Sequence, residues 1–198
     1  MKKRIAIYLA GLLSGVIIWV VAEQISANRQ QEAMNDYLAY YSEYEFMEEE
    51  PYLGFNMHEL CVMPIYDLSN KQTFISLSEE KVIFLNMWAS WCKPSVNELS
   101  GIENLNSKLG EKVDFYLLSN EPVDALQKFK RKTNLSLPVY SYQSEDFLPE
   151  YLKRGSIPYT LIIYKGKVWF EHLGAAPWDC AKVVDLINNI YNVYSIEI

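Results

Sequence analysis

An α/β domain behind an N-terminal membrane-spanning helix is the fold class this sequence predicts, on three observations. Strand-like and helix-like segments alternate from Val62 onward. The apolar run Val82–Met87 leads within a few residues to a cysteine, Cys92, at the head of a helical stretch. Eighteen uncharged residues, Ile5 to Ala22, follow the basic cluster Lys2-Lys3-Arg4. The expected partition is an anchor over residues 1–25, a linking segment over 26–60 and a folded domain over 61–198. A chain of 198 residues suits one such domain and can bury a core without covalent staples.

Ile5–Ala22 as a helix is about 27 Å long, close to the thickness of a bilayer's hydrocarbon. Lys2, Lys3 and Arg4 hold the near end in the cytoplasm, which sends the rest of the chain across. A cleaved signal peptide is the competing reading, with Val20-Val21-Ala22 as a small-residue cleavage site. The apolar run is longer than the ~7–15 residues of such a peptide's core, which favours an uncleaved single-pass anchor. Both readings place the domain outside the cytosol of a bacterial cell, where disulfides persist.

Between Ser26 and Pro51, Met34, Tyr37, Leu38, Tyr41 and Tyr44 fall at helical spacing and form an apolar stripe. Glu43, Glu45, Glu48, Glu49 and Glu50 crowd the end where a helix prefers cations, so the helix frays before Pro51. The stripe reads as a spacer helix packed on a neighbouring surface, or as a docking face for a membrane partner.

In the domain, Val62–Leu68 and Phe74–Ser76 are expected to form a leading hairpin about Ser69-Asn70-Lys71. Val82–Met87 is a buried strand, and a helix runs from Lys93 to Leu109, stopping at Gly110. Val113–Leu118 is the next strand. A helix follows from Pro122, a residue suited to a first turn, to Lys132. Val139-Tyr140 is a short strand, and a brief helix covers Asp146–Lys153. Tyr159–Tyr164 and Lys167–His172 pair antiparallel about Lys165-Gly166. A helix over Trp178–Val193 closes the chain's fold.

Charge excludes one class of function. The net charge is −7, and setting aside Lys2, Lys3 and Arg4 leaves 15 basic against 25 acidic residues, a net of −10. A nucleic-acid partner needs a basic face, which this domain lacks. Two histidines and scattered cysteines give no zinc spacing, so neither a metal nor another cofactor is expected.

The chemistry concentrates in Trp88-Ala89-Ser90-Trp91-Cys92-Lys93-Pro94-Ser95. A cysteine at a helix N-terminus meets unpaired N–H groups and the positive end of the dipole, which favour a thiolate. In a Cys-x-x-Cys site a second thiol one turn on resolves the mixed disulfide. Here that position is Ser95, which cannot form a disulfide. Its hydroxyl lies at i+3 on the same helical face and is expected to hydrogen-bond the Cys92 thiolate.

This run resembles the Trp-Ala-x-Trp-Cys-x-Pro-Cys signature of thioredoxin-like proteins of the TlpA/ResA type, with only the last cysteine changed. Glu98 matches an acidic position common in that group, and Ile157-Pro158 looks like its cis-proline loop. Lys165-Gly166-Lys167 and Gly174 look like its hairpin turn and the glycine beyond. The resemblance covers about Met63 to Val193 and departs at Ser100, where the family often has proline. It implies a thioredoxin-like fold, a central mixed sheet flanked by helices. It implies Cys92 as the catalytic nucleophile, with Ser95 and Glu98 supporting the thiolate. Trp91, Lys93, Pro94, Ile157 and Pro158 would form the substrate groove, with the backbone of Ile157 pairing to an extended segment. The partners implied are protein disulfides and thiols, or small thiols.

A lone thiolate leaves three mechanisms open. Cys92 attacks a substrate disulfide and a thiol of the substrate or a small thiol releases it. Alternatively Cys61 or Cys180 resolves the adduct, although neither is placed beside Cys92 by this fold; these two could also pair with each other. Finally, the domain could be a redox-inactive scaffold that binds a partner protein. A peroxiredoxin site would need a Pro/Thr constellation ahead of its cysteine, which Met87–Trp91 lacks.

Overall fold

The computed structural model describes residues 19–26, 28–29, 55–76 and 80–194. Most of Ile5–Ala22 and the stripe from Met34 to Tyr44 lie outside them. Residues 19–26 are helical, with Trp19, Val20, Val21 and Ile25 exposed. No described helix is long and apolar enough to cross a membrane.

Within the unit from Phe46 to Ile198, seven strands form one sheet. They are β1 (Ile65–Tyr66), β2 (Gln72–Thr73), β3 (Val82–Met87), β4 (Val113–Ser119), β5 (Val139–Ser141), β6 (Tyr159–Tyr164) and β7 (Lys167–Leu173), ordered β2-β1-β5-β4-β3-β6-β7. β3, β4 and β5 run parallel, whereas β6, β7, β1 and β2 pair antiparallel. The expected mixed sheet is therefore present, with β3, the strand that leads to Cys92, inside it between β4 and β6. Every residue of β3 and β6 is buried, as continuous apolar strands covered on both faces should be.

The helices are α1 (Met57–Val62), α2 (Lys93–Leu109), α3 (Val123–Thr133) and α4 (Ala181–Tyr194). α2 begins and ends where the sequence placed it, with Gly110 N–H returning to Asn106 O at 2.8 Å. α3 carries Asp124 in its first turn and Lys130, Arg131 and Lys132 in its last, complementing its dipole. Asn134 closes α3 in the left-handed region at φ 55°, a conformation its short amide side chain tolerates.

The two faces of the sheet bury different sets. Ile83, Leu85 and Met87 of β3 join Leu60, Met63, Tyr151 and Leu161 in one core. The alternate residues Phe84 and Asn86 face the helices, since the side-chain period along a strand is two. There Phe84 meets Trp178 edge-on at 5.1 Å and Phe115 at 5.3 Å, while Trp88 packs on Phe129 of α3 at 5.3 Å.

Several local expectations are corrected. The leading segment Val62–Leu68 is not one strand: α1 ends at Val62, Met63 and Pro64 turn, and only Ile65–Tyr66 pairs. Its partner is Gln72–Thr73 rather than Phe74–Ser76, because Asp67 Oδ1 accepts from Ser69 N at 2.8 Å and Lys71 N at 2.9 Å and tightens the turn. Leu60 of α1 is fully buried in the core that Ile83, Leu85 and Met87 join, and Phe55 and Met57 pack against that core. Asp146–Lys153 forms two 3-10 turns, Glu145–Phe147 and Glu150–Leu152, separated by Pro149, which has no N–H to continue a helix. The last helix starts at Ala181, since Trp178 belongs to the turn before it.

Candidate functional site

The site assembles at the carboxyl end of β3, where Trp88 N–H still bonds Leu118 O of β4 at 2.9 Å. The chain then turns, with Cys92 N–H reaching Ala89 O at 3.1 Å, and Cys92 becomes the N-cap of α2. Its backbone is extended, its carbonyl accepts from Val96 N–H at 3.0 Å, and its side chain makes no cap bond. The sulfur is therefore left for other contacts beside the N–H groups of the first turn, which have no partner inside the helix. Pro94 supplies a fixed φ in that turn.

Opposite the sulfur lies the loop entering β6. The Ile157–Pro158 peptide is cis, and Cys92 Sγ lies 3.7 Å from Ile157 O, within the range of a thiol donating to a carbonyl. Pro158 is buried and its own carbonyl accepts from Gly174 N–H at 2.8 Å. Gly174 occupies φ 106°, a region a side chain rarely adopts, so glycine suits this fastening. Cys92 and Ile157 are half-buried, whereas Lys93 and Pro94 are exposed and Trp91 is 69% exposed. A partly accessible sulfur thus sits between an exposed indole and a half-covered backbone carbonyl.

Ser95 departs from its expected contact. It is fully buried, and its Oγ has no hydrogen-bond partner, so no bond to Cys92 is formed. The hydroxyl at i+3 turns into the protein, where an unsatisfied buried hydroxyl costs stability. Glu98 also turns inward. Its Oε1 accepts from Asn86 Nδ2 at 2.9 Å, and its Oε2 from Trp178 Nε1 at 2.8 Å and Ala176 N at 3.1 Å. Burial pushes its carboxyl up to about 7, against the lowering effect of the Trp178, Asn86 and Ala176 donors. Asn86 also donates to Thr160 Oγ1 at 2.9 Å, so the polar cluster ties β3, β6, α2 and the turn before α4 together.

Asn86, Thr160 and Trp178 were not anticipated. The signal for the first two was available: each is a polar residue interrupting an apolar strand whose every position is buried. Glu121 was also missed, and nothing local in the sequence marks it. Its carboxylate accepts from Ser90 N and Oγ, just ahead of Cys92. Cys61, Cys92 and Cys180 are all free thiols. Cys61 donates to Met57 O within α1, Cys180 is buried before α4, and the alternative pairing of these two is not formed. Burial pushes the Cys61 thiol up, opposite to what a resolving nucleophile needs.

A cysteine capping a helix beyond the end of a parallel strand, faced by a cis-proline loop, completes a thioredoxin-like fold. The chain belongs to the AhpC/TSA family, which it matches over residues 61–169. Among curated relatives it is similar to thiol-disulfide oxidoreductase ResA of Bacillus cereus, with 31% identity over 143 residues, 70% of this chain and 77% of that one. ResA of Bacillus thuringiensis is 30% identical over 113 residues, 56% of this chain, and the match spans 65% of the relative's length. The fold is shared with an exposed lipoprotein thioredoxin of Streptococcus pneumoniae, at TM-score 0.52 and 21% identity over 66% of this chain and 97% of that one. A thiol-disulfide oxidoreductase from Bacteroides fragilis has TM-score 0.52 and 15% identity, covering 64% and 95% of the two chains.

Proposed function

We propose that this chain is a membrane-anchored, extracytoplasmic domain that carries out thiol-disulfide exchange through the single thiol of Cys92. The Cys92 thiolate attacks one sulfur of a substrate disulfide, forming a mixed disulfide and releasing the other sulfur as a thiolate. A second thiolate, from the substrate or a small thiol, then attacks the substrate-side sulfur and returns Cys92 to its thiolate. Electrons balance without a second enzyme cysteine: one disulfide is consumed and one is formed. The observation that carries the reading is Cys92 Sγ at the head of α2, 3.7 Å from Ile157 O, with a serine where the resolving thiol would stand.

Ile157 supports the substrate role assigned to it by presenting its carbonyl beside the sulfur, where an extended segment can pair. Trp91, Lys93 and Pro94 form the exposed rim. Glu98 supports the site from beneath by holding α2 to β3 through Asn86. The anchor rests on Lys2-Lys3-Arg4 followed by the uncharged Ile5–Ala22.

Intact mass after brief treatment with oxidised glutathione tests the exchange. One Cys92-dependent adduct, absent in Cys92→Ala and removed by excess reduced glutathione, is expected. Labelling that is slow, or that falls on Cys61 or Cys180, would replace this reading with a partner-binding scaffold. Alkaline extraction of membranes from expressing cells tests the anchor, which predicts retention in the pellet.

A further inference from the structure

The turn that carries Cys92 is tied to the neighbouring strand by one side chain outside the signature. Glu121 follows β4 and places both carboxylate oxygens on Ser90: Oε2 accepts from Ser90 N at 2.7 Å and Oε1 from Ser90 Oγ at 2.6 Å. Oε2 accepts again from Ser119 Oγ at 3.1 Å, and Ser119 Oγ in turn accepts from Glu121 N at 3.2 Å. The Glu121 carbonyl is held by Ser141 Oγ of β5 at 2.7 Å. Ser119 and Ser141 are fully buried, so the bracket is fixed at its base while its tip grips a half-buried turn.

The geometry points to Glu121 as a positioning residue that sets where Cys92 stands relative to Ile157. Ser90 is two residues before Cys92, between the last sheet contact at Trp88 and the first turn of α2. Cys92 N–H, bonded to Ala89 O at 3.1 Å, belongs to that same turn. Releasing Ser90 frees the turn that sets the sulfur's distance from Ile157 O. Bonds to an ionised acceptor are the strong kind, and two on one residue fix orientation as well as distance. A misplacement of about 1 Å at a reacting atom can cost on the order of 100-fold in rate.

This inference rests on the exchange reading, and two measurements separate their failures. The first is the rate constant for alkylation of Cys92 by iodoacetamide, with that for glutathione-disulfide exchange, in the full chain at matched folded fraction. Glu121→Ala is expected to slow both by about tenfold or more. Glu121→Gln, which keeps one carbonyl acceptor for Ser90, is expected to recover most of the loss. Adding Ser90→Ala to Glu121→Ala is expected to cost little further, because both act through one contact. The second is amide hydrogen exchange at Ser90, which should lose protection in Glu121→Ala while β3 and β4 keep theirs. Rates within twofold of wild type in Glu121→Ala, or a slowing that Glu121→Gln does not relieve, would overturn the positioning role. A wild-type Cys92 inert to glutathione disulfide, with Ser90 protection and alkylation still dependent on Glu121, would overturn the exchange reading and uphold the bracket.

Discussion

Trp178 Nε1 donates to Glu98 Oε2 at 2.8 Å, joining a fully buried indole to a carboxyl that is 4% exposed. The pair lies in the helix-facing core, with Phe84 edge-on to the same indole. Ala176 N–H shares that oxygen, and Asn86 holds the other. Three donors are not enough to offset loss of water, so the carboxyl is held up near 7.

That shift sets a direction for stability against pH. Between the unfolded carboxyl's ordinary value of 4.5 and the folded value of about 7, the folded state binds the Glu98 proton and the unfolded state has released it. Stability attributable to this group therefore falls as pH rises through that window, then levels above it. The span corresponds to about 3 kcal/mol. Urea denaturation of wild type and Glu98→Gln at a series of pH values checks it. The difference between the two is expected to slope against wild type from pH 4.5 to 7, and parallel curves would contradict the buried-acid assignment.

Removing the indole donor should push in the same direction. Trp178→Phe keeps most of the ring packing against Phe84 but leaves Glu98 Oε2 with Ala176 N–H alone. An expected loss of about 1–3 kcal/mol follows from losing one of the two hydrogen bonds to that buried oxygen. Because the Trp178 bond lowers the Glu98 carboxyl, its removal should also move the pH window upward. A variant destabilised equally at all pH values would mean that the ring's packing, rather than its N–H, is what matters.

These two residues mark the boundary of what the sequence made legible. Apolar runs marked β3, β4 and β6, while Gly110, Pro122 and Lys165-Gly166 marked the bounds of α2, α3 and the β6–β7 pair. The cysteine at the head of α2 and the proline ahead of β6 were legible as a motif. The first hairpin was misplaced because its two-residue strands are too short to show alternation, and the Asp67 side chain decides its turn. Ser95 was placed on the correct helix but aimed at the sulfur. Spacing of i+3 gives a common face, whereas the rotamer is chosen by packing. Glu98, Asn86 and Thr160 meet across three elements, a convergence that exists only after the sheet has ordered itself.

The β6–β7 turn offers a test of backbone alone. Lys165 and Gly166 both have positive φ, 47° and 77°, the pattern of a two-residue hairpin turn. A Cβ at Gly166 would meet nothing within 4 Å, so Gly166→Ala adds no clash beyond its own φ. The expected cost is about 1 kcal/mol, measured by thermal or urea unfolding, with Cys92 reactivity unchanged. A loss several times larger would mean that the turn also sets the register of β6 and the loop before it.

Restoring the second thiol tests the placement of α2 directly. Ser95 is buried with no hydrogen bond to lose, so Ser95→Cys exchanges an unsatisfied hydroxyl for a weakly polar sulfhydryl. The new sulfur stands one helical turn from Cys92. Under mild oxidation the variant is expected to form an internal disulfide, seen as loss of two hydrogens in intact mass and of alkylation at Cys92. It should then reduce a model protein disulfide in the presence of dithiothreitol faster than wild type, whose mixed disulfide waits on attack by external thiol. The mixed disulfide with glutathione should become short-lived, since attack by the introduced thiol competes with release by external thiol. If the variant folds, with its thermal unfolding near that of wild type, yet forms no bridge, then Cys92 and residue 95 do not share the geometry assigned to the head of α2. In that case the lone-thiol mechanism loses its structural basis.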